Sequence, residues 1–217
     1  MITFNLEEAR EIQMATKGQG ACEKWHLERE GRLTASNFGR ILKRKKITEQ
    51  FVQAIYYPKP LTSKALSYGI ANESTAKQLY KEKYPSRHVH DAGLMLQPEL
   101  QFLGATPDAI ICDEGKTGLL EIKCPYGSRD MTIEEAASTN KDFYVIKIGQ
   151  DIKISKSHNC YYQIQGQLLL SGLDFCDFVI YTRVDLYIKR VYKDVLFINS
   201  MIQKLHEFHV NKFCPKK

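Results

Sequence analysis

The segment Leu119-Leu120-Glu121-Ile122-Lys123-Cys124-Pro125 constrains this chain more than any other. Successive side chains of a strand point to opposite faces, so residues two apart share one. Glu121 and Lys123 therefore project together, while Leu120 and Ile122 face the other way. A second acid, Asp108, lies upstream in Gly104-Ala105-Thr106-Pro107-Asp108-Ala109. Between the two acids, Asp113-Glu114-Gly115-Lys116 is a turn signal. The predicted geometry is a hairpin or adjacent strand pair that gathers Asp108, Glu121 and Lys123 at one spot. Two carboxylates and an ammonium around a shared water are equipment for metal-assisted phosphodiester hydrolysis.

The rest of the chain reads as helices and strands arranged about that hairpin. Asn5 with Glu8 forms a capping box that opens a first helix. A short helix ends at Gly31, and Thr34 or Ser36 caps the next. Thr48 opens a further helix, closed by Pro58 and Pro60. Ser63 to Tyr84 is a long helix. His88 to Met95, Leu100 to Leu103 and Ala109 to Cys112 are expected to continue the sheet around Asp108, with Thr117 to Lys123 as its central strand. Phe143–Ile148 and Ile152–Ile154 form a strand pair. Ser157 caps a helix that runs to Gly172. Two alternating strands, Asp174 to Arg183 and Tyr187 to Tyr192, precede a last helix from about Val195 to Phe213.

Several side chains carry two readings on pattern alone. Leu66, Gly69, Glu73, Ala76 and Tyr80 share one helical stripe. An inward Glu73 needs a partner or a cation; at the edge of the stripe it only snorkels to solvent. Ser36 sits at a helix start, where free backbone N–H groups make a phosphate seat, or it simply caps. Arg29 is either an anion contact or a solvated surface charge. Arg129 either grips a phosphate in bidentate fashion or pairs with Asp130. Gln163 and Gln167 lie one turn apart on one helical face, aimed at a partner or at solvent. The run Lys43-Arg44-Lys45-Lys46 is a solvated loop or a nucleic-acid backbone contact.

Composition narrows the class. The chain has 217 residues, enough to bury one core without staples, and a single domain over 1–217 is expected. The six cysteines lie far apart with no C-x-x-C pair, which argues against a zinc site or a disulfide framework and for reduced thiols. No apolar run reaches the roughly 18 residues of a membrane span, and residues 1–8 carry no secretory pattern. An intracellular protein without a membrane partner is expected. The net charge of +6 permits an anionic partner without demanding one.

Taken together these residues resemble the PD-(D/E)xK nuclease superfamily and, within it, the YqaJ-type viral recombinases, the family of phage lambda exonuclease. The carriers are Trp25-His26-x-x-Arg29-x-Gly31-x-x-Thr34-Ala35-Ser36, Gly69-x-x-x-Glu73, Thr106-Pro107-Asp108, Leu120-Glu121-Ile122-Lys123-Cys124-Pro125-x-x-Ser128-Arg129 and Tyr161-x-Gln163-x-Gln165. An isolated E-x-K recurs by chance; five blocks in one order do not.

The resemblance implies an α/β (α+β) fold, with a central curved mixed β-sheet flanked by helices. It implies a magnesium-dependent deoxyribonuclease, with Mn²⁺ able to substitute, that resects double-stranded DNA ends 5′ to 3′ from 5′-phosphorylated termini. Asp108, Glu121 and the Ile122 carbonyl are then metal ligands, and Glu73 completes the acidic cluster. Lys123 orients and activates the attacking water, and Gln163 holds water or the scissile phosphate. Arg29, Ser36 and Arg129 match the positions that recognise the 5′-phosphate, with Thr106 offering a hydroxyl. Relatives imply a homo-oligomer, a trimer in some, and a single-strand annealing protein as partner. Lys141 to Lys156 departs from the phage pattern where the trimer contacts would be. Two rivals stay open: a structure-specific or nicking endonuclease with the same site, and a DNA-binding recombination factor with an inactive nuclease fold.

Overall fold

The computed structural model describes residues 4–59 and 62–213; Pro60 and Cys214 lie outside them. The first half of the chain contributes α1 (Leu6–Ala15), α2 (Glu23–Arg29), β1 (Leu33–Thr34), α3 (Ala35–Leu42), α4 (Glu49–Tyr56), α5 (Lys64–Lys83), β2 (His88–His90) and β3 (Leu103–Gly104). The second half contributes β4 (Ala109–Asp113), β5 (Lys116–Lys123), α6 (Ile133–Thr139), β6 (Val145–Ile148), β7 (Asp151–Ile154), α7 (Asn159–Ser171), β8 (Phe175–Tyr181), β9 (Leu186–Tyr192) and α8 (Val195–Lys212).

The principal sheet has five strands in the order β2-β4-β5-β8-β9, which puts β5 at its centre. β4 and β5 form the expected antiparallel hairpin, with Ala109 opposite Leu120 and Asp113 opposite Lys116. Its two connecting residues, Glu114 and Gly115, both have positive φ, +49° and +79°. That is the tight turn whose twist matches its strands. β8 returns parallel to β5, and β9 antiparallel to β8, so the sheet is mixed. The fold expected from the sequence is the one formed.

Alternation along β5 divides the core in two. Leu119 packs with Phe178, Ile180 and the helix residues Phe38, Ile164 and Leu168. On the opposite face Leu120, Ile122 and Val179 pack with Ala76 and Tyr80 of α5. Each such fully buried aliphatic or aromatic side chain contributes about 1.5–3 kcal/mol. α3 and α7 cross closely because each supplies a glycine at the crossing. A Cβ on Gly39 would fall 2.7 Å from the Asn159 Cα, and one on Gly166 2.5 Å from the Phe38 ring. This close crossing sets α7 against the Glu121 face of β5.

Some boundaries differ from expectation. β3 does not extend the principal sheet but pairs in parallel with β1, Leu33 opposite Leu103. Of His88 to Met95 only His88–His90 is strand; Met95 makes a single bridge to Ala105. Thr34 is the residue that precedes α3, yet neither its hydroxyl nor that of Ser36 caps the helix. Thr34 Oγ1 instead accepts from Asn37 Nδ2 at 3.1 Å. α7 is capped by the His158 imidazole, which accepts from the Cys160 N–H at 3.1 Å, rather than by Ser157, whose hydroxyl meets Ser155. The five described cysteines are free thiols. Among the described residues no helix is long and apolar enough to cross a membrane.

Candidate active site

The site forms at the end of β5 away from the turn. Glu121 is 1% exposed, so its charge must be met inside the protein. Three donors meet it. Lys123 Nζ lies 2.5 Å and Gln163 Nε2 2.6 Å from Oε1, and Gln167 Nε2 lies 2.6 Å from Oε2. The lysine comes from the same face of β5, and the two amides come from successive turns of α7. The Gln163–Gln167 face thus points at a partner, and that partner is Glu121.

Asp108 stands just before β4, beside the end of β5. Its Oδ2 accepts from the Ile122 N–H at 2.6 Å. The N–H and C=O of a strand residue point to the same edge, so the Ile122 carbonyl opens toward Asp108. Burial pushes the Asp108 carboxyl well above the usual carboxylate range, and the charge of Glu121 pushes it further; Lys123 and the Ile122 N–H offset only part. Burial is the largest influence on the Lys123 pKa and lowers it, but the surrounding acidic groups, Glu121 first and then Asp108, together with the hydrogen bond to Glu121, outweigh it and raise the pKa. Lys123 therefore stays an ammonium, able to orient a water or offset negative charge but not to take its proton.

Glu73 faces this spot across a cleft that Leu66, Gly69, Asp108, Lys123 and Tyr144 also line. Its side chain is 39% exposed and lies 3.8 Å from Lys77. It therefore holds an intermediate position, at the cleft but leaning on a lysine one turn away. Lys77 went unremarked in the sequence, although the i, i+4 spacing from Glu73 is a signal for such a pair. Its Nζ also donates to the Asp108 carbonyl at 3.0 Å.

Among the described residues no group of three or more Asp, Glu, His or Cys side chains is gathered tightly enough to hold a metal ion. The donors that do converge are the Asp108 and Glu121 carboxylates and the Ile122 carbonyl. These are hard oxygens, and Lys123 and the Ile122 N–H offset only part of what burial and the Glu121 charge do to the Asp108 carboxyl. That set fits an oxygen-seeking divalent cation that keeps some of its waters.

A second constellation adjoins the first. Trp25 Nε1 donates to Thr106 Oγ1 at 3.0 Å, and the Arg29 guanidinium lies 3.8 Å above the Trp25 ring. Burial pushes the Arg29 pKa down to about 10, and among the described residues no carboxylate pairs with it. Ser36 is exposed in the first turn of α3. Arg129 lies elsewhere on the surface of the site. Its guanidinium covers the Tyr126 ring, donates to the Tyr126 carbonyl and pairs with Asp130 at 3.4 Å, not with Arg29 or Ser36. Trp25 was legible only as a motif letter; its role in backing Arg29 and holding Thr106 is tertiary.

Residues 24–174 match the YqaJ-like viral recombinase domain. The chain belongs to that family. The alkaline nuclease of Autographa californica nuclear polyhedrosis virus is a relative, 26% identical over 92% of this chain. The chain spans 50% of that viral protein. Among solved structures, this member of the YqaJ-like family resembles an alkaline exonuclease (LHK-Exo) from Laribacter hongkongensis, with a TM-score of 0.65 and 23% identity over 87% of this chain and 91% of that one. It also resembles the SOX protein of Kaposi's sarcoma-associated herpesvirus in its RNA complex, with a TM-score of 0.68 and 12% identity over 96% and 75% of the two chains. These likenesses place the mixed sheet and its helices in the PD-(D/E)xK nuclease fold.

Proposed function

We propose that this YqaJ-like chain is a metal-dependent DNA exonuclease that resects linear duplex from 5′-phosphorylated ends. The observation that carries the reading is the meeting of Asp108, Glu121 and Lys123 at the open end of a central strand. The relatives support it: one is named an alkaline nuclease, one an alkaline exonuclease, and SOX has been solved with DNA and with RNA.

Asp108, Glu121 and the Ile122 carbonyl would hold Mg²⁺, for which Mn²⁺ substitutes, with Glu73 reached through water across the cleft. When bound, such an ion makes water a nucleophile at neutral pH and screens the phosphate charge. Lys123 orients the attacking water through its free N–H groups and offsets charge growing on the phosphate. Gln163 gives its N–H to Glu121, which leaves its carbonyl oxygen to accept from that water. Arg29, half-buried and without an acid partner among the described residues, suits a terminal phosphate dianion. The first-turn N–H groups of α3, with the Ser36 hydroxyl, would seat the same phosphate. Thr106 holds Trp25 beneath Arg29. Arg129 reaches the phosphate only by exchanging Asp130 for it.

The test compares three substrates in Mg²⁺: linear duplex with 5′-phosphates, the same duplex with 5′-hydroxyls, and a covalently closed circle. Fast resection of the first, slow resection of the second and an intact circle are expected. Opening of the circle would replace the reading with an endonuclease. Inertness toward all three in Mg²⁺ and Mn²⁺ would leave a DNA-binding factor on an inactive nuclease fold.

A further inference from the structure

α7 carries three amides at alternate positions, and they face two ways. Gln165 faces away from the site, donating to the Tyr192 carbonyl at 3.0 Å and accepting from the Asp194 N–H at 2.8 Å. It ties α7 to β9 and to the start of α8. Gln167 faces β5 and is fully buried, with no exposed surface. No substrate can touch it in this arrangement.

Its amide nitrogen has two acceptors: Glu121 Oε2 at 2.6 Å and the Thr106 carbonyl at 3.2 Å. Its own Oε1 is buried and, among the described residues, has no hydrogen-bond partner. An unsatisfied buried oxygen is costly. Turning the amide over would aim that oxygen at the Glu121 carboxylate, so the charge of Glu121 fixes the orientation. The orphaned oxygen is the consequence of pointing both N–H bonds at functional parts of the site.

The two acceptors belong to the two halves of the site. Glu121 is on β5. Thr106 is two residues from Asp108, and its hydroxyl accepts from the Trp25 indole beneath Arg29. We propose that Gln167 is a positioning residue: one buried amide holds the Glu121 carboxylate at a fixed distance from the Thr106-Pro107-Asp108 segment, and so sets the spacing of the two carboxylates for a divalent cation. This rests on the metal-dependent reading above and names a residue that the reading does not use. Loss of a group that orients a metal ligand lowers metal affinity or activity by about 10–100-fold.

The test uses the full chain and its Gln167→Met variant, which keeps the volume and removes both donors, with Gln165→Met as the comparison. Calorimetric titration with Mn²⁺ alone should show about 10–100-fold weaker binding for Gln167→Met and unchanged binding for Gln165→Met. Turnover of a 5′-phosphorylated duplex should fall in kcat with KM for DNA unchanged. A Gln167→Met protein that binds Mn²⁺ and cuts as the wild type does would overturn the proposal, whatever its melting temperature. If the wild type itself binds no Mn²⁺, the underlying metal reading has failed instead. A measurement on the unaltered protein guards against misfolding of the variant. Both Gln167 side-chain amide protons should exchange slowly with solvent and shift on adding Mg²⁺; fast exchange with no shift overturns the proposal.

Discussion

Replacing Lys123 by alanine separates catalysis from binding. Lys123 Nζ is one of three donors on Glu121; Gln163 and Gln167 remain after its removal, so the buried carboxylate keeps a donor on each oxygen. The variant is expected to fold. On the proposed mechanism it loses a permanent positive charge beside the reacting phosphate. A unit charge ~4 Å from developing negative charge is worth ~4 kcal/mol at an effective dielectric of ~20. Screening reduces this, because the lysine side chain is 26% exposed. A loss of about 3–4 kcal/mol corresponds to about 10²–10³ in rate, as for removal of one oxyanion donor. The assay is single-turnover resection of a 5′-phosphorylated duplex in saturating Mg²⁺, with DNA affinity read by fluorescence anisotropy in Ca²⁺. We expect unchanged affinity and a rate lower by about 10²–10³. A variant that cuts at the wild-type rate would refute the charge argument, and equal losses of binding and rate would place Lys123 in substrate capture instead.

Arg29→Ala should reduce resection of 5′-phosphorylated ends by more than that of 5′-hydroxyl ends, in competition assays. Arg129→Ala should show a smaller bias in the same direction, because its Asp130 pair competes with phosphate; equal losses on both ends for both variants would remove the end-recognition assignment. Gly39→Ala places a Cβ 2.7 Å from the Asn159 backbone, which cannot give, so α3 and α7 must separate. We expect a loss of about 1–3 kcal/mol and a melting temperature lower by about 2–10 °C, and an unchanged melting curve would contradict the close crossing. Burial pushes the His209 imidazole below its ordinary 6.5, aided by His206, and its Nδ1 lies 2.9 Å from the Tyr56 hydroxyl. The unfolded chain then takes up the proton first, so this stability is present above about pH 6.5 and is lost as pH falls below it. The melting temperature should drop between pH 7 and pH 5 with a shallower slope in His209→Gln; identical slopes would contradict it.

The parts of the fold that were legible in the sequence are those governed by local rules. A period of two placed Glu121 with Lys123, and Asp113-Glu114-Gly115-Lys116 specified the hairpin that brings Asp108 to them. The capping box at Asn5 and Glu8 and the cap at Thr48 formed as read. The misses depend on what lies across space. Whether Leu103 joins the principal sheet or pairs with Leu33 is decided by tertiary packing, since both are apolar strand residues. Ser157 is the cap the sequence points to, yet the imidazole of the next residue, His158, takes the Cys160 N–H instead. For Arg129 the neighbouring Asp130 was visible in the sequence and proved to be its partner. For Arg29, by contrast, no sequence pattern reveals that a tryptophan shields it and that no acid among the described residues pairs with it. Gln163 and Gln167 read equally well as an exposed polar face; only the close passage of α7, set by Gly39 and Gly166, turns them onto Glu121.

The paired carboxylates at the end of β5 are expected to serve the hydrolysis of a DNA terminus. Linear duplex labelled at the 5′ end or at the 3′ end, incubated with increasing Mg²⁺ and then with chelator, tests this directly. Release of 5′ label as mononucleotide before any 3′ label, dependent on the ion and abolished in both Asp108→Asn and Glu121→Gln, is the predicted result. Release that persists under chelator or in those two variants would contradict it, as would loss of the 3′ label first.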